Sequence, residues 1–299
     1  PVQYIRPEII GLILGAYVLS MIRGEHQSKG GSSPIIRFIL GFFVMIGALM
    51  FLGCPIRMIL RLGGGDLNAL FGIAGFAGGI GVGTIFLKKG YSLQRTYALS
   101  KLESAMMPAI QVGLLVLVVT APAFIFFSQK GPGAMHAPWL ISLAAGLVVG
   151  GLSQFSRLCT VGGFRDLFLF KKSILIFGYL AVLIGVFVVN ISFGNFHLGF
   201  ENQPIAHTDG LWNFLGMALA GFCSVLLGGC PLRQLIMTGE GNSDSAVTVL
   251  GLGAGAAFAH NFGLAASGAG PTLNGEIAVG VGFVVAFIIA VLNTKRSNA

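Results

Sequence analysis

The sequence predicts an all-α integral membrane protein with about nine transmembrane helices and short re-entrant half-helices. Of its 299 residues, 55% are hydrophobic and 9% are charged, whereas a soluble domain has about 25% charged residues. Several apolar blocks approach the roughly 20 residues that cross a bilayer as a helix. This composition excludes a secreted enzyme, a nucleic-acid reader and a disordered chain.

Nine apolar blocks account for the predicted helices, because each is long enough to cross or nearly cross a bilayer. Short loops, many of which carry Lys or Arg, separate one block from the next. The predicted spans, in chain order, are 8–22, 35–53, 66–87, 108–128, 139–155, 173–193, 213–229, 245–262 and 276–292.

The positive-inside rule assigns loops that are rich in Lys and Arg to the cytoplasmic side. The loops around Arg37 and Lys171 are therefore predicted to be cytoplasmic, and Lys295 and Arg296 place the C-terminus there as well. The loop 194–212 contains no Lys or Arg and is predicted to face outward. Nine alternating spans satisfy these assignments. Because the formal charge of +8 comes from such loops, it does not indicate a nucleic-acid partner.

A five-residue motif occurs twice, 176 positions apart. Gly-Cys-Pro-Ile-Arg at 53–57 matches Gly-Cys-Pro-Leu-Arg at 229–233, and further glycines match at the same offset. Five predicted spans separate the copies, and an odd number gives the halves opposite orientations, as in many secondary transporters. The chain is therefore predicted to be a single polytopic domain with inverted repeat halves at about 1–105 and 139–292.

Each copy of the motif predicts the start of a short helix. Proline is favoured at the first helical position, which places Cys54 and Cys230 at N-cap positions and Arg57 and Arg233 in the first turn. Gly-rich breaks follow, so each segment is too short to span and is predicted to be a half-helix that is buried in protein or lines a cavity. A helix N-terminus binds anions, and a thiol there is a soft partner for sulfur.

An arginine in the first turn opposes the helix dipole and requires an anion nearby. For Arg57 this anion is either a transported ion or Asp66, which stands where the second half has Asn242. The alternative is structural: a small buried cysteine beside a helix-starting proline, with the arginine extending to the lipid headgroups. Duplication of the motif favours the functional interpretation.

A third segment, Ser-Arg-Leu-Cys-Thr at 156–160, lies where a predicted span ends on the inside. It adds Arg157 and Cys159 to the candidate residues, and Arg165 follows shortly after it. The alternative interpretation is an ordinary cytoplasmic turn with an ion pair between Arg165 and Asp166.

Four further features are predicted to be structural or have two interpretations. Cys223 lies two helical turns before Cys230 and could share a face with it, but core packing is favoured. His260 could line a pore or be a satisfied interface histidine. The His and acidic residues of the outer loop could bind a metal, but a solvated loop is favoured, and no metal or cofactor is predicted. Glycines at spacing four, within 75–83 and 251–255, predict close helix packing.

On its Gly-Cys-Pro-x-Arg motifs, Ser-Arg-Leu-Cys-Thr segment and Gly-rich spans, the sequence resembles the YeeE/YedE sulfur-transport family of prokaryotic membrane proteins. It resembles the YedE branch, associated with selenium transport, more than the YeeE branch, which takes up thiosulfate. The resemblance implies an hourglass-shaped inner-membrane protein whose short helices meet at a narrow waist. It also implies that thiols at Cys54, Cys159 and Cys230 pass a sulfur anion along by S–H···S hydrogen bonds, and that a TusA-like sulfurtransferase is a partner. Family members carry a further Cys-bearing segment upstream of the part that resembles Arg6-Pro7-Glu8. We therefore expect either that an N-terminal segment of the first repeat is missing from this sequence or that the protein works with one thiol fewer on the outer side.

The sequence therefore predicts a transporter, not an enzyme, that takes up a small sulfur- or selenium-containing anion such as thiosulfate. No ATP-binding loop is found, so transport is expected to be facilitated or ion-coupled. The alternative is a membrane-embedded thiol sulfurtransferase that forms a cysteine persulfide, although no general base is recognisable beside any cysteine. The predicted pathway residues are Cys54, Cys159, Cys230, Arg57 and Arg233, and the supporting candidates are Arg157, Arg165, Asp66, Asn242, Cys223 and His260.

Overall fold

The computed structural model describes residues 4–121, 128, 134–172 and 174–294, and it is 71% helical. Two strands of two residues each, β1 (Lys29–Gly30) and β2 (Tyr97–Ala98), pair antiparallel. The described helices are α1 (Pro7–Ile22), α2 (Pro34–Met50), α3 (Pro55–Gly63), α4 (Asn68–Lys88), α5 (Lys101–Thr120), α6 (Trp139–Ser156), α7 (Thr160–Phe170), α8 (Ile174–Ser192), α9 (Gly210–Leu227), α10 (Pro231–Gly239), α11 (Ser243–Asn261) and α12 (Leu273–Leu292). The predicted all-α class is confirmed.

Seven helical stretches in this part of the chain are long and apolar enough to cross a membrane. Each predicted span falls on a described helix, but two of them do not meet that standard. α1 has 16 residues, and α11 has polar residues at both ends, including Asp244 and His260. The predicted count of nine is therefore higher than the seven supported by length and composition. Lys295 and Arg296, on which the cytoplasmic C-terminus depends, lie outside the described residues.

One predicted span begins earlier than expected. α5 starts at Lys101 rather than at 108 and contains Pro108 in its interior. A capping box explains this start, because Ser100 accepts a hydrogen bond from the Glu103 N–H and the Glu103 carboxylate accepts one from the Ser100 N–H. Residues 122–127, into which this span was predicted to extend, lie outside the described residues, as does the predicted first residue of the 173–193 span.

The chain forms two compact units. In the first unit α1 packs closely against α6, because glycines of each helix face the backbone of the other. A Cβ added at Gly11 would lie 2.6 Å from the Leu143 carbonyl oxygen, and one added at Gly146 would meet the Glu8 carbonyl oxygen. The first unit consists of Pro1–Pro34, Arg95–Leu158 and Arg233–Val249.

In the second unit α4 packs against α9 and α2 packs against the later part of α11. Glycines four residues apart abut backbone carbonyl oxygens of the facing helix, at Gly75–Phe214, Gly79–Ala218, Gly251–Phe38 and Gly255–Phe42. The glycine rows therefore pack helices closely, as predicted. The second unit consists of Ile35–Gln94, Cys159–Leu232 and Leu250–Ala299.

The bounds of several helices repeat with the offset of the sequence motif. α2 and α9 begin 176 positions apart, and α3 and α10 both begin and end with that separation. Gly65 and Gly241, which follow the two short helices, both have left-handed backbone, with φ of 99° and 95°. The glycine contacts between α4 and α9 and between α2 and α11 are related by the same offset. The inverted orientation of the halves, with bounds at 1–105 and 139–292, stays a prediction.

Candidate cysteine site

Three of the four cysteines lie directly before a short helix. Cys54 is the N-cap residue of α3, and Cys159 is the N-cap residue of α7. Cys230 immediately precedes Pro231, the first residue of α10. α3 and α10 have 9 residues each and α7 has 11. The predicted short helices are therefore present, and their re-entrant insertion into a membrane stays a prediction.

The side chains of Cys159 and Cys230 are hydrogen-bonded to each other. The Cys159 sulfur also accepts a hydrogen bond from the Gly162 N–H, with an N···S distance of 3.3 Å, and the backbone N–H of Cys230 points at it. Both side chains are buried. N–H donors from two separate chain segments therefore converge on the Cys159 sulfur.

Cys54 is half-buried and lies near this pair. Its sulfur makes no capping hydrogen bond, but it lies close to the backbone N–H groups of Ile56 and Arg57 and near Cys230. The structure thus brings together all three predicted thiol positions within the second unit. We call Cys54, Cys159 and Cys230 the cysteine cluster, and none of these three residues forms a disulfide bond.

Tyr179 lies against the cysteine cluster and was missed by the sequence analysis. It is the buried residue of α8, a helix whose other side chains are partly or fully exposed. Its hydroxyl donates a hydrogen bond to the Pro55 carbonyl oxygen at 3.1 Å and lies near Cys54 and Cys230. A lone tyrosine in an otherwise apolar stretch is the sequence signal for such a residue, because a buried hydroxyl needs a partner.

Thr160 places a second hydroxyl beside the cysteine cluster. It is the first residue of α7, it follows Cys159 directly, and its side chain is 2% exposed. Its hydroxyl has no hydrogen-bond partner among the described residues. Since burial of an unpartnered hydroxyl is costly, this group is suited to a polar ligand.

Arg57 lies in the first turn of α3 and interacts electrostatically with the Cys54 sulfur. The side chain is half-buried, and its methylene groups lie over Gly53. A Cβ at Gly53 would be 2.8 Å from the Arg57 Cδ. The glycine of the motif therefore leaves room for the arginine to lie along the start of the helix.

Asp66, one of the two anions considered for Arg57, has Arg61 as its ion-pair partner. Asp66 forms a buried ion pair with Arg61, with an Nε–Oδ2 distance of 2.6 Å, and its Oδ1 accepts hydrogen bonds from the Asn68 N–H and side-chain amide at 2.9 Å each. Arg61 also donates a hydrogen bond to the Phe51 carbonyl oxygen, and its Cζ lies 4.0 Å from the centre of the Phe51 ring. The chain turns back after α3, where the Asp66 N–H bonds to the Arg61 carbonyl oxygen, so the carboxylate reaches the last turn of α3 rather than the first.

Arg157 and Arg233 meet on a carboxylate that the sequence analysis did not select. Arg233 donates two hydrogen bonds to Glu240 at 3.1 and 3.0 Å. Arg157 donates to the same carboxylate at 2.7 Å and to Glu25 at 2.6 Å. We call Glu25, Arg157, Arg233 and Glu240 the charged network. It lines a cavity of about 400 Å³ within the first unit.

Cys223 lies fully buried inside α9, near Tyr91. It does not share a helix face with Cys230, because α9 ends at Leu227 and Gly228 has left-handed backbone with φ of 82°. The expectation of a shared face is therefore wrong, and the favoured packing role agrees with the burial of Cys223.

Three more of the predicted supporting residues, Arg165, Asn242 and His260, make local contacts or lie near a helix end. Arg165 pairs with Asp166 at 2.8 Å, as the structural interpretation of this segment expects. The Asn242 side-chain oxygen accepts a hydrogen bond from the Ser245 N–H at the start of α11. His260 is half-buried near the end of α11. The Arg165–Asp166 pair lies inside α7, and the Asn242 contact lies at the start of α11, so neither of these contacts forms a ligand set.

The outer loop contains no metal site among its described residues. No group of three or more His, Cys, Asp or Glu residues suited to a metal is found in the described part of the chain. His207 is 2% exposed, and its Nε2 lies 2.8 Å from the Met50 carbonyl oxygen, so the expectation of a solvated loop is wrong at this residue. Burial lowers the pKa of His207, and the Met50 carbonyl partly offsets this effect. Asp209 caps α9 by accepting a hydrogen bond from the Trp212 N–H.

The comparison with curated proteins gives no match. Residues 155–294 match the model of the family described as Sulphur transport. The matched stretch contains Cys159 and Cys230, the hydrogen-bonded pair of the cysteine cluster, together with Tyr179. Over residues 155–294, the chain therefore matches the YeeE/YedE sulfur transport family.

Proposed function

We propose that this protein takes up a small sulfur- or selenium-containing anion, such as thiosulfate, through the cysteine cluster. Its family is a transporter family for sulfur compounds, and its apolar helices make it a multi-pass membrane protein. The expected location is the inner membrane of a prokaryotic cell, with the C-terminus in the cytoplasm. The proposal assigns no catalytic step to the cysteines.

The observation that carries this proposal is the meeting of three cysteines that lie far apart in the sequence. Each of them precedes a separate short helix. A structural role for a buried cysteine requires only a small apolar side chain, and such a role does not explain why each helix start has a thiol. A pathway for a soft anion needs several neighbouring sulfurs, which this arrangement supplies.

The helix starts and the thiols together would stabilise an anion in transit. The first N–H groups of a helix are unsatisfied, and its N-terminus carries partial positive charge. A thiol donates a weak hydrogen bond, so it can hold a sulfur anion without trapping it. The buried hydroxyl of Thr160 and the guanidinium of Arg57 would add one donor and one charge beside the cluster.

The difference in burial suggests an order of contact. Cys54 is half-buried, whereas Cys159 and Cys230 are buried. We propose that Cys54 receives the ion from outside and that Cys230 and Cys159 pass it toward the cytoplasm. In the predicted inverted repeat, the segments that begin at Pro55 and Pro231 would enter the membrane from opposite sides. A TusA-like sulfurtransferase is the proposed acceptor.

The test is uptake of sulfur-labelled thiosulfate by proteoliposomes that contain the purified protein. We expect uptake above that of empty liposomes, and competition by unlabelled thiosulfate that is stronger than competition by sulfate at equal ionic strength. Parallel competition by sulfite and selenite would identify the preferred anion. Absence of uptake would contradict the proposal. A persulfide on a cluster cysteine that forms and decays with turnover would instead support the membrane-embedded sulfurtransferase.

A further inference from the structure

The charged network surrounds one carboxylate with hydrogen-bond donors from two arginines. Glu240 accepts from Arg157 Nη1 at 2.7 Å and from Arg233 Nη1 and Nη2 at 3.1 and 3.0 Å. Side chains of Arg233 and Glu240 are each 13% exposed, whereas that of Arg157 is 47% exposed. The arginines thus form a clamp for an oxyanion, and Glu240 occupies it.

The cavity beside this clamp has an excess of positive charge. Its lining includes three cations, Lys29, Arg157 and Arg233, but only two carboxylates, Glu25 and Glu240. The Lys29 ammonium is 3.5 Å from the Gln27 side-chain oxygen, which is a weak contact. A small anion that entered this cavity would therefore find unbalanced positive charge.

Glu25 does not neutralise this excess. Hydrogen bonds from Arg23 and Gln154 lower the pKa of Glu25, so its carboxylate is ionised at neutral pH. Arg23 pairs with it at 2.9 Å and Arg157 at 2.6 Å. Glu25 thus has two arginine partners, and one of them is shared with Glu240.

The fold does not require a carboxylate side chain at position 240. At the offset of 176, position 240 corresponds to Gly64, which follows α3. The backbone carbonyl oxygens of both residues accept a hydrogen bond from a backbone N–H. The Gly64 carbonyl oxygen accepts from the His197 N–H at 2.9 Å, and the Glu240 carbonyl oxygen accepts from the Gln27 N–H at 3.0 Å. Because glycine forms this turn in the other half, the Glu240 side chain serves the arginines and not the turn.

We propose that Arg157 and Arg233 form a second anion site, for a small oxyanion such as thiosulfate or sulfate, and that Glu240 is its tethered and displaceable occupant. A guanidinium binds a carboxylate or another oxyanion through the same pair of N–H groups. Exchange of Glu240 for an incoming oxyanion would keep both arginines paired, while Lys29 would balance additional negative charge. The inference rests on the proposed function for the identity of the transported ion, but not for the existence of the site.

Chain connectivity links the clamp to the cysteine cluster. Arg233 follows Cys230 by three residues, and Arg157 precedes Cys159 by two. Both clamp arginines are therefore near neighbours in sequence of the hydrogen-bonded cysteine pair. An ion that displaced Glu240 would change the partners of residues close in sequence to both cysteines.

Isothermal titration of the purified full chain with sodium thiosulfate and with sodium sulfate, at constant ionic strength, tests the second site. Glu240→Gln keeps the shape of the side chain and removes its charge. We expect both anions to bind this variant about tenfold more tightly than wild type, which corresponds to about 1.4 kcal/mol. Glu103→Gln is the matched control, because Glu103 is in the same unit outside the cavity and glutamine preserves its capping box. It should bind like wild type.

The tighter binding must depend on the clamp. Adding Arg233→Gln to Glu240→Gln should abolish the gain in affinity. If this double variant does not fold, Arg157→Gln combined with Glu240→Gln replaces it, because the Arg157 side chain is half exposed. Unchanged affinity in Glu240→Gln, an equal gain in Glu103→Gln, or a gain that survives loss of an arginine would overturn the inference. Failure of thiosulfate uptake would overturn the proposed function and leave this binding result standing.

Discussion

Replacement of Cys230 by alanine is expected to lower thiosulfate uptake by about tenfold or more, which corresponds to at least about 1.4 kcal/mol of lost stabilisation along the pathway. The Cys230 side chain is hydrogen-bonded to Cys159 and interacts with Cys54. Its loss therefore interrupts the cluster at the residue that the other two share. Initial rates of labelled-thiosulfate uptake in proteoliposomes measure the effect.

The chain provides a matched control for this variant in Cys223→Ala. Cys223 is equally buried and belongs to the same unit, but it lies inside α9 and outside the cysteine cluster. We expect Cys223→Ala to transport like wild type, and Cys159→Ala to behave like Cys230→Ala. Normal uptake by a well-folded Cys230→Ala variant, or equal losses in Cys230→Ala and Cys223→Ala, would exclude a thiol pathway.

Replacement of Asp66 by asparagine is expected to have the largest effect on stability. Asp66 and Arg61 are both buried, and their ion pair has an Nε–Oδ2 distance of 2.6 Å. The neutral amide would leave the Arg61 cation buried without its counter-ion, and removal of one partner of a buried pair costs about 3–5 kcal/mol. Thermal unfolding of the purified protein in detergent, followed by circular dichroism, should show a clearly lower Tm than wild type.

The second half of the chain suggests the compensating variant. At the offset of 176, Met237 and Asn242 stand where the first half has Arg61 and Asp66. The double variant Arg61→Met with Asp66→Asn copies this uncharged pair, and we expect it to recover much of the Tm that Asp66→Asn loses. An Asp66→Asn variant as stable as wild type would show that the ion pair contributes little, and a double variant less stable than Asp66→Asn would show that Met and Asn do not fit here.

Features set by local chemistry could be predicted from the sequence. Proline fixes the backbone angle that a helix start needs, so Pro55 and Pro231 located the first residues of α3 and α10. Long apolar blocks located the membrane helices. The number of helices that are long and apolar enough to cross a membrane is lower than predicted, because α11 has polar ends and α1 is short. The glycine rows predicted close packing, because only small residues let two backbones approach.

Contacts between distant residues could not be predicted in the same way. Arg157 and Glu240 are 83 residues apart in the chain, and no local pattern connects them. The partner of Asp66 depends on the turn after α3, and neither its position nor its charge reveals which arginine it reaches. Tyr179 was missed because a single tyrosine in an apolar helix gives no information about the Pro55 carbonyl oxygen that it meets.

An anion that occupies the cysteine cluster should protect Cys54 from alkylation. Cys54 is the least buried residue of the cluster, so a small alkylating reagent should modify it before the three buried cysteines. Mass spectrometry of the purified protein would give its rate of alkylation with thiosulfate and with sodium chloride at equal ionic strength. We expect slower alkylation of Cys54 with thiosulfate than with sodium chloride. Half-maximal protection is expected near the thiosulfate concentration that half-saturates uptake. An alkylation rate that saturating thiosulfate leaves unchanged would contradict occupation of the cysteine cluster by the anion.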